Sequence, residues 1–217
     1  MVSDAKSSKF VELLLGWHEH NRRVFPWREY RTPYNTLVAE FFLQRTPADR
    51  VAGFYCQFIQ KYPDPFTLCS ADPNVVTSLS TQLGLKKRIL WLIEASRVIC
   101  ERFSGRIPDT NSDLRSLPGV GCYTASAILS LGYGKDVAIV DVNVTRVLTR
   151  FFGYSSSSRK PNQELESLAE MLLPKGKGSD FNEAMLDFAA LICRKKPRHE
   201  DCPLIDCCTF YSHFVSV

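Results

Sequence analysis

Long apolar runs are missing from this sequence. No stretch of its 217 residues approaches the roughly 20 consecutive apolar residues of a membrane span, which argues against a transmembrane helix. The first ten residues, MVSDAKSSKF, also lack the apolar core of a secretion signal. We therefore expect an intracellular protein, in the cytoplasm or on the nucleoid, without a membrane partner.

A strong excess of one charge is missing as well. Lysine and arginine number 27 against 23 aspartate and glutamate residues, so the net charge is +4 and the pI is near 8.6. This balance permits a nucleic-acid partner without requiring one, and a solvated, slightly basic surface is the simpler explanation. Apolar residues make up 45% of the chain, enough to bury a core in one domain or in two small lobes.

Cysteine, in contrast, is abundant, with eight copies. Because we expect a reducing compartment, these residues do not suggest a disulfide framework. Four of them lie in apolar contexts typical of small buried side chains: Cys56, Cys69, Cys100 and Cys122. The other four are crowded into the last 25 residues: Cys193, Cys202, Cys207 and Cys208. Such clustering inside a cell favours a metal site.

Helical periodicity dominates the rest of the chain. Residues 8–20, for example, place Phe10 and Leu14 on one face. The apolar run VAIV at 137–140 has no second strand with which to pair, so we interpret it as buried extended chain. The serines at 155–158 predict a polar loop. The pattern as a whole predicts an all-α protein of about ten helices.

A glycine hairpin opens the stretch LPGVGCYTASAI at 117–128. Gly119 and Gly121 flank one valine and precede a predicted helix, so their backbone N–H groups can point outward beside the positive end of that helix. This arrangement suits a phosphate group of one nucleic-acid strand and reads no sequence. An ordinary turn between two helices is the alternative, and the hairpin by itself does not decide between them.

Five further segments accompany the hairpin in a definite order: FPWR (25–28), PYNTLVAEFFLQRT (33–46), GLKKR (84–88), VDVNVTRVLTRFFG (140–153) and DFNEAMLDFAALIC (180–193). Together they resemble the helix-hairpin-helix DNA glycosylases, the HhH-GPD or endonuclease III-like superfamily. Within it they look most like the thymine and adenine mismatch glycosylases. The resemblance covers residues 8–210, and it is specific in combination although no single segment would suffice.

The resemblance implies a two-lobed, all-α HhH-GPD fold with a cysteine-rich metal-cluster loop near the carboxyl end. Residues 26–136 would form a helical bundle that contains the hairpin. Residues 1–25 and 137–217 would form the second helical lobe. The implied partner is double-stranded DNA with a mismatched or damaged base, bound by a monomer.

Excision of a flipped-out base has two chemical needs. Positive charge develops on the sugar, which a carboxylate stabilises, and the departing base needs a proton donor. Asp141, at a predicted helix start among apolar residues, fits the first need; a plain helix cap is the alternative, compatible with it. Glu40, within LVAEFFLQ, fits the second because apolar surroundings raise the pKa of a carboxyl group. The alternative for Glu40 is an exposed position, and the resemblance favours the catalytic role of both residues.

Other positions take their roles from the resemblance. Asn143 either orients Asp141 or caps the helix. Gln44 and Arg45 are expected at the minor groove, where they fill the gap left by the flipped base. A solvated helix end is the alternative for Arg45. DNA contacts are also expected along the hairpin: Gly119, Val120, Gly121 and Thr124.

A lysine is missing from position 123, and this absence excludes a reaction. Bifunctional members of the superfamily carry a lysine two residues after the second hairpin glycine, where it forms a Schiff base with the sugar and the strand is nicked. Here the residue is Tyr123, and the neighbouring Cys122 supplies no amine. The resemblance therefore implies a monofunctional glycosylase that leaves an abasic site. Tyr123 either stacks or hydrogen-bonds in the base pocket or belongs to the core.

Two branches of the family compete for the excised base. Gln44 resembles the adenine enzymes and Arg45 the thymine enzymes. VDVN lacks the glycine that usually follows the aspartate in adenine enzymes, and the sequence stops before their domain for oxidised guanine. We favour thymine or uracil opposite guanine. The alternatives are adenine opposite 8-oxoguanine or guanine, a non-enzymatic DNA-binding module, and a lyase that uses another nucleophile.

The cysteine tail departs from the family pattern in two places. Relatives end in Cys-x6-Cys-x2-Cys-x5-Cys, which binds a [4Fe–4S] cluster. Here a histidine stands at the second position, one residue closer to the first cysteine than the pattern requires. The predicted ligands are Cys193, His199, Cys202 and Cys208, with Cys207 as another choice for the fourth. A [4Fe–4S] cluster is our preferred occupant, and a Cys3His zinc site or no metal are the alternatives.

Overall fold

A computed structural model describes residues 4–79, 84–154 and 162–215 of the chain. Within these ranges the protein is built from helices and contains no β-strand, so the predicted all-α fold is confirmed. The VAIV segment belongs to no helix and to no sheet, and its Ala138 and Ile139 are buried as predicted. The serine loop predicted at 155–158 lies outside the described residues. None of the described helices is long and apolar enough to cross a membrane.

The backbone divides into two compact units. The first consists of Met1–Arg23 together with Lys135–Val217, and the second is Val24–Gly134. The helices of the first unit are α1 (Asp4–Asn21), α10 (Val142–Phe152), α11 (Gln163–Leu172), α12 (Gly178–Leu191) and α13 (Thr209–Val215). The helices of the second are α2 (Pro26–Glu29), α3 (Pro33–Leu43), α4 (Ala48–Lys61), α5 (Pro65–Cys69), α6 (Pro73–Ser78), α7 (Lys86–Phe103), α8 (Asn111–Arg115) and α9 (Cys122–Ala127).

Helix α3 is the central helix of the second unit. It begins with Pro33 in the first turn, and the Thr32 side chain caps it by accepting a hydrogen bond from Asn35 N at 3.0 Å. A helix that is apolar on nearly every side must be surrounded by other elements. Phe41 and Phe42 are accordingly fully buried, and α4, α7 and α9 all contact this helix.

The core of the first unit forms where α1, α10, α11 and α12 meet. Phe10 of α1 lies with its ring 4.7 Å from that of Phe151 and 6.5 Å from that of Phe181. Along α10 the buried residues follow helical spacing, with Val144, Val147, Leu148 and Phe151 on one face. This single apolar face fixes how α10 is rotated, and hence the direction in which its first turn points.

Two of the cysteines predicted to be buried are exposed. Cys56 directly follows Tyr55 on α4, and the Tyr55 side chain is buried in the core. Successive residues of a helix are rotated by about 100°, so Cys56 lies on a different face. Cys122 lies in the first turn of α9, directly after the hairpin, and is also exposed. Cys69 and Cys100 are partly buried, with their sulfur atoms 3.4 Å apart. The prediction was wrong because apolar neighbours in sequence need not share a helix face.

Candidate active site

Asp141 lies half-buried at the amino end of α10. Its Oδ1 accepts hydrogen bonds from Asn143 N at 2.8 Å and from Val144 N at 2.7 Å. Its Oδ2 accepts a hydrogen bond from the side-chain Nδ2 of Asn143 at 2.6 Å. The predicted helix cap by Asp141 is confirmed, and the Asn143 side chain bonds to the Asp141 carboxylate. Three N–H groups thus hold the carboxylate in one orientation.

Asn143 is itself held by Arg146, one turn further along α10. Arg146 Nη1 donates to Asn143 Oδ1 at 3.0 Å. The same guanidinium donates to Cys193 O at 2.8 Å and to Ala189 O at 3.1 Å, at the carboxyl end of α12. Sequence reasoning missed Arg146, although its spacing of three residues from Asn143 is the spacing of neighbours on a helix face.

Glu40 lies in the middle of α3, in the second unit, and only 6% of it is exposed. Its neighbours Ala39 and Phe41 are buried as well. The alternative of an exposed position is therefore wrong. Because a buried charge is costly, a carboxyl group at such a position is a candidate for proton transfer.

The turn after α3 carries Gln44 and Arg45. Gln44 ends the helix, and Arg45 is exposed and adopts the left-handed conformation, with φ +57°. Arg88 of α7 braces this turn, because its Nη1 donates to Phe42 O at 3.1 Å and to Thr46 Oγ1 at 3.0 Å. Burial, and then the positive charge of Arg45, lower the pKa of Arg88. These bonds hold the backbone of the turn in place, while Arg45 on the turn faces solvent.

The glycine hairpin joins α8 to α9 within the same unit as Glu40. Gly119 has φ +78°, and a Cβ atom there would lie 2.8 Å from Phe41 Cε1 and 3.1 Å from Trp91 Cβ. Both the backbone conformation and the close approach of α3 therefore require glycine. Gly121 has φ −95°, and nothing lies within 4 Å of a Cβ atom built on it.

The side chains along the hairpin differ in what they offer a ligand. Val120 is 8% exposed and Thr124 is 4% exposed, so their side chains belong to the core. Tyr123 is half-buried on the first turn of α9, which continues as a π-helix over Ile128–Gly132. At Val120 and Thr124, a DNA strand would therefore meet the backbone.

The four predicted metal ligands line one small cavity in the first unit. Cys193, His199, Cys202 and Cys208 surround a volume of about 30 Å³, together with Arg150 and other residues. Among the described residues, no three histidine, cysteine, aspartate or glutamate side chains are placed to hold a metal ion.

Arg150 lies against the cavity as a fixed cation. Its Nη1 is 3.5 Å from Cys193 Sγ, and its guanidinium lies 4.8 Å above the Phe210 ring. Burial raises the pKa of the Cys193 thiol, and it raises the pKa of Cys202 to about 11. These thiols keep their protons at neutral pH unless a metal displaces them. The donor types suit a metal, but their present arrangement does not fit a cluster.

The loop between Cys193 and Cys202 presents basic side chains from a braced backbone. Arg150 donates to Arg194 O at 2.6 Å and to Lys195 O at 3.1 Å. The side chains of Arg194, Lys195 and Lys196 are exposed, which leaves a cluster of positive charge on the surface.

Known proteins are similar to this chain in sequence and in fold. Residues 38–175 match the HhH-GPD superfamily base excision DNA repair protein family. The chain is 37% identical to the thymine/uracil-DNA glycosylase of Methanothermobacter thermautotrophicus, over 97% of this chain and 96% of that protein. It is 32% identical to the adenine DNA glycosylase of Buchnera aphidicola subsp. Baizongia pistaciae, over 93% of this chain and 58% of that protein. The structure of a thermostable thymine-DNA glycosylase matches with a TM-score of 0.92 and 36% identity, over 97% of this chain and 98% of that one.

Proposed function

Because the chain belongs to the HhH-GPD superfamily of base excision DNA repair proteins, we propose that it is a monofunctional, mismatch-specific DNA glycosylase. It hydrolyses the N-glycosidic bond of a thymine or uracil opposite guanine. Its substrate is double-stranded DNA from which the target base is flipped out, and it acts as a monomer. The product is an abasic site in an uncut strand.

The geometry of Asp141 is the observation that supports this proposal most strongly. Three N–H donors hold its carboxylate in place before any substrate arrives. A negative charge that needs no reorientation stabilises the positive charge that develops on the sugar as the base departs. We assign Asp141 to the sugar and Asn143 to the orientation of Asp141.

Glu40 takes the proton-transfer role. Its carboxyl group is 6% exposed, and a carboxylic acid can donate a proton to the departing base. Its position on a helix buried nearly all round keeps the side chain in a restricted space. The leaving base departs more readily as a neutral molecule than as an anion.

DNA is held by features on both units. The backbone of Gly119, Val120 and Gly121 binds a phosphate group, and Thr124 contributes through its backbone at the start of α9. Gln44 and Arg45, on the braced turn, fill the space left by the flipped base. The exposed basic loop after α12 binds the phosphate backbone without reading sequence.

The preference for thymine or uracil rests on the relatives. The identity is 37% to an enzyme named for thymine and uracil and 32% to one named for adenine. Val142, which is 53% exposed, directly follows Asp141 where the adenine branch usually has glycine. Excision of adenine opposite 8-oxoguanine or guanine is the second candidate, supported by the adenine-type relative and by Gln44.

A panel of end-labelled duplexes tests the reaction. The protein is incubated with G:T, G:U, A:8-oxoguanine and A:G duplexes, and abasic sites are revealed by cleavage in alkali. We expect product from G:T and G:U. Product from the adenine duplexes alone would show that the protein has the substrate specificity of the adenine branch. No product from any duplex, with DNA binding intact, would leave only a DNA-binding module.

Strand cleavage without alkali tests the monofunctional reaction. Tyr123 has no amine, so borohydride should trap no covalent complex between the wild-type protein and DNA. Tyr123→Lys is the matched positive control, because it introduces an amine at the position where bifunctional relatives have theirs. A trapped complex with the wild-type protein would instead reveal a lyase with another nucleophile.

For the cysteine cavity we propose a structural role, with a [4Fe–4S] cluster bound by Cys193, His199, Cys202 and Cys208. Binding requires these side chains to move, because no three metal-binding side chains of the described residues are placed to hold a metal ion. No step of the reaction depends on the metal. Iron and sulfide in freshly purified protein would support the cluster. Zinc alone would support the Cys3His site. The absence of both metals would mean that the tail is held by side-chain packing alone.

A further inference from the structure

The chain that leads to Asp141 runs through residues 135–140 of the first unit, which belong to no helix or strand. Its middle is buried, with Ala138 8% and Ile139 1% exposed. Outside a helix, buried peptide groups need partners from elsewhere. The identity of those partners determines the path on which the chain reaches Asp141.

Asn182 of α12 supplies two of these partners. Its Oδ1 accepts a hydrogen bond from Ile139 N at 3.0 Å, and its Nδ2 donates to Val137 O at 2.8 Å. In extended chain the C=O of one residue and the N–H of the second next residue point to the same side. The carboxamide of Asn182 offers one acceptor and one donor, so it pairs with this N–H and this C=O as the backbone of a neighbouring β-strand would.

Asn182 is placed by the core of the first unit. It is 2% exposed, and its neighbours on α12, Phe181 and Met185, are each 1% exposed. A side chain so enclosed has little freedom to follow the segment if the segment moves. The segment must therefore conform to Asn182.

We propose that Asn182 is a positioning residue for Asp141, an inference that rests on the proposed glycosylase function. Asn143 orients the carboxylate about the start of α10, whereas Asn182 sets where the chain enters that start. Asn143 thus controls the orientation of the Asp141 carboxylate, and Asn182 controls the position of the backbone that carries it. Glu170 assists from α11, because its Oε1 accepts a hydrogen bond from Ala138 N at 3.0 Å.

Asn182→Leu tests this role, since leucine has the same branch at Cγ, although it is larger, and has no hydrogen-bonding group. We expect the single-turnover excision rate to fall about 10- to 100-fold, because a displacement of the reacting groups by about 1 Å has an effect of this size. The dissociation constant for mismatched DNA should change less than about twofold, because the phosphate contacts lie elsewhere.

Met185→Ala is the matched control on the same helix. It leaves a cavity in the same core and lowers the melting temperature without removing a bond to the segment. At a temperature where both variants are folded, its excision rate should stay near that of the wild type. Equal loss of rate in both variants would reduce Asn182 to a residue of the core and overturn the proposal.

Hydrogen exchange gives a second reading that does not depend on activity. The Ile139 amide should exchange faster in Asn182→Leu than in Met185→Ala, measured relative to α12 in each protein. If Asn182→Leu does not fold, Asn182→Asp replaces it, because it keeps the acceptor for Ile139 N and loses the donor to Val137 O. Glu170→Ala is a further, exposed variant with a smaller expected loss of rate.

The outcomes separate the two levels of inference. A wild-type protein that excises no base would overturn the proposed function. An active wild type with an unchanged rate in Asn182→Leu would overturn the positioning role alone. A slow Asn182→Leu that also loses DNA binding would do the same, because the defect would then not be specific to the reacting groups.

Discussion

The two candidate carboxyl groups, Glu40 and Asp141, are held in opposite ways. Asp141 lies before the first turn of its helix, half-exposed, where free backbone N–H groups point at it. Glu40 lies in the middle of a helix, 6% exposed, where the backbone groups are already used by the helix. The first setting aims several hydrogen-bond donors at a carboxylate that stays open to a ligand, and the second encloses the carboxyl group within the core. Position along a helix thus suits one functional group to two different tasks.

The largest effect expected from this contrast is that of Glu40→Gln. Glutamine keeps the shape of the side chain but does not act as an acid, so the excision rate should fall about 10²- to 10⁴-fold. Single-turnover rates on G:U and G:T duplexes measure this loss, with circular dichroism to verify the fold. A rate within threefold of the wild type would show that Glu40 is buried for packing alone.

Asp141→Asn should lower the rate about 10²- to 10³-fold, because the charge is lost while the shape remains. Asparagine is as good a helix cap as aspartate, so the melting temperature should hardly change. Asp141→Ala removes the cap as well and should cost about 0.5–2 kcal/mol of stability. If Asp141→Asn retains its activity, the contrast with Glu40 disappears and the cap is the whole function of Asp141.

Asn143→Ala sharpens the contrast, because it changes only one of the three donors to Asp141. The backbone N–H of residue 143 remains, while the 2.6 Å bond from Nδ2 to Asp141 Oδ2 is lost. Hydrogen bonds to charged groups contribute about 1.5–3 kcal/mol, so we expect a loss of rate of about tenfold or more. A rate equal to that of the wild type would mean that the backbone alone orients Asp141.

The local half of this site could be predicted from the sequence. An aspartate between apolar residues and a helical pattern predicts a cap, and the cap is present. The apolar surroundings of Glu40 predict burial for the same kind of reason, because a helix that is apolar on all sides has no face left for solvent. Both predictions depend only on neighbours within about one helical turn.

The long-range half could not be predicted. Arg146 contacts Cys193, and Asn182 contacts Ile139, across 47 and 43 residues of sequence. Polar side chains within apolar helices are visible in a sequence, but their partners depend on how the helices pack. The same limit explains the exposed Cys56, which lies between the aromatic residues Tyr55 and Phe58 in sequence although its own face of α4 is not buried. These contacts depend on how the helices pack, which the local sequence pattern does not determine.

The smallest expected effect concerns the surroundings of Glu40. Gly119→Ala places a methyl group 2.8 Å from Phe41, the residue after Glu40, and forces alanine to adopt φ +78°. The left-handed conformation alone costs about 1–2 kcal/mol, and relief of the contact must displace Phe41 or the hairpin. Gly121→Ala is the matched control, because its φ is −95° and its Cβ has space. Chemical denaturation should therefore separate the two variants. Single-turnover rates at saturating protein exclude the part of the defect that comes from weaker phosphate binding by the hairpin. The part that remains should resemble a weakened Glu40, because Asp141 belongs to the other unit. Under these conditions, combining Gly119→Ala with Glu40→Gln should add little further loss of rate, whereas combining it with Asp141→Asn should multiply the two losses.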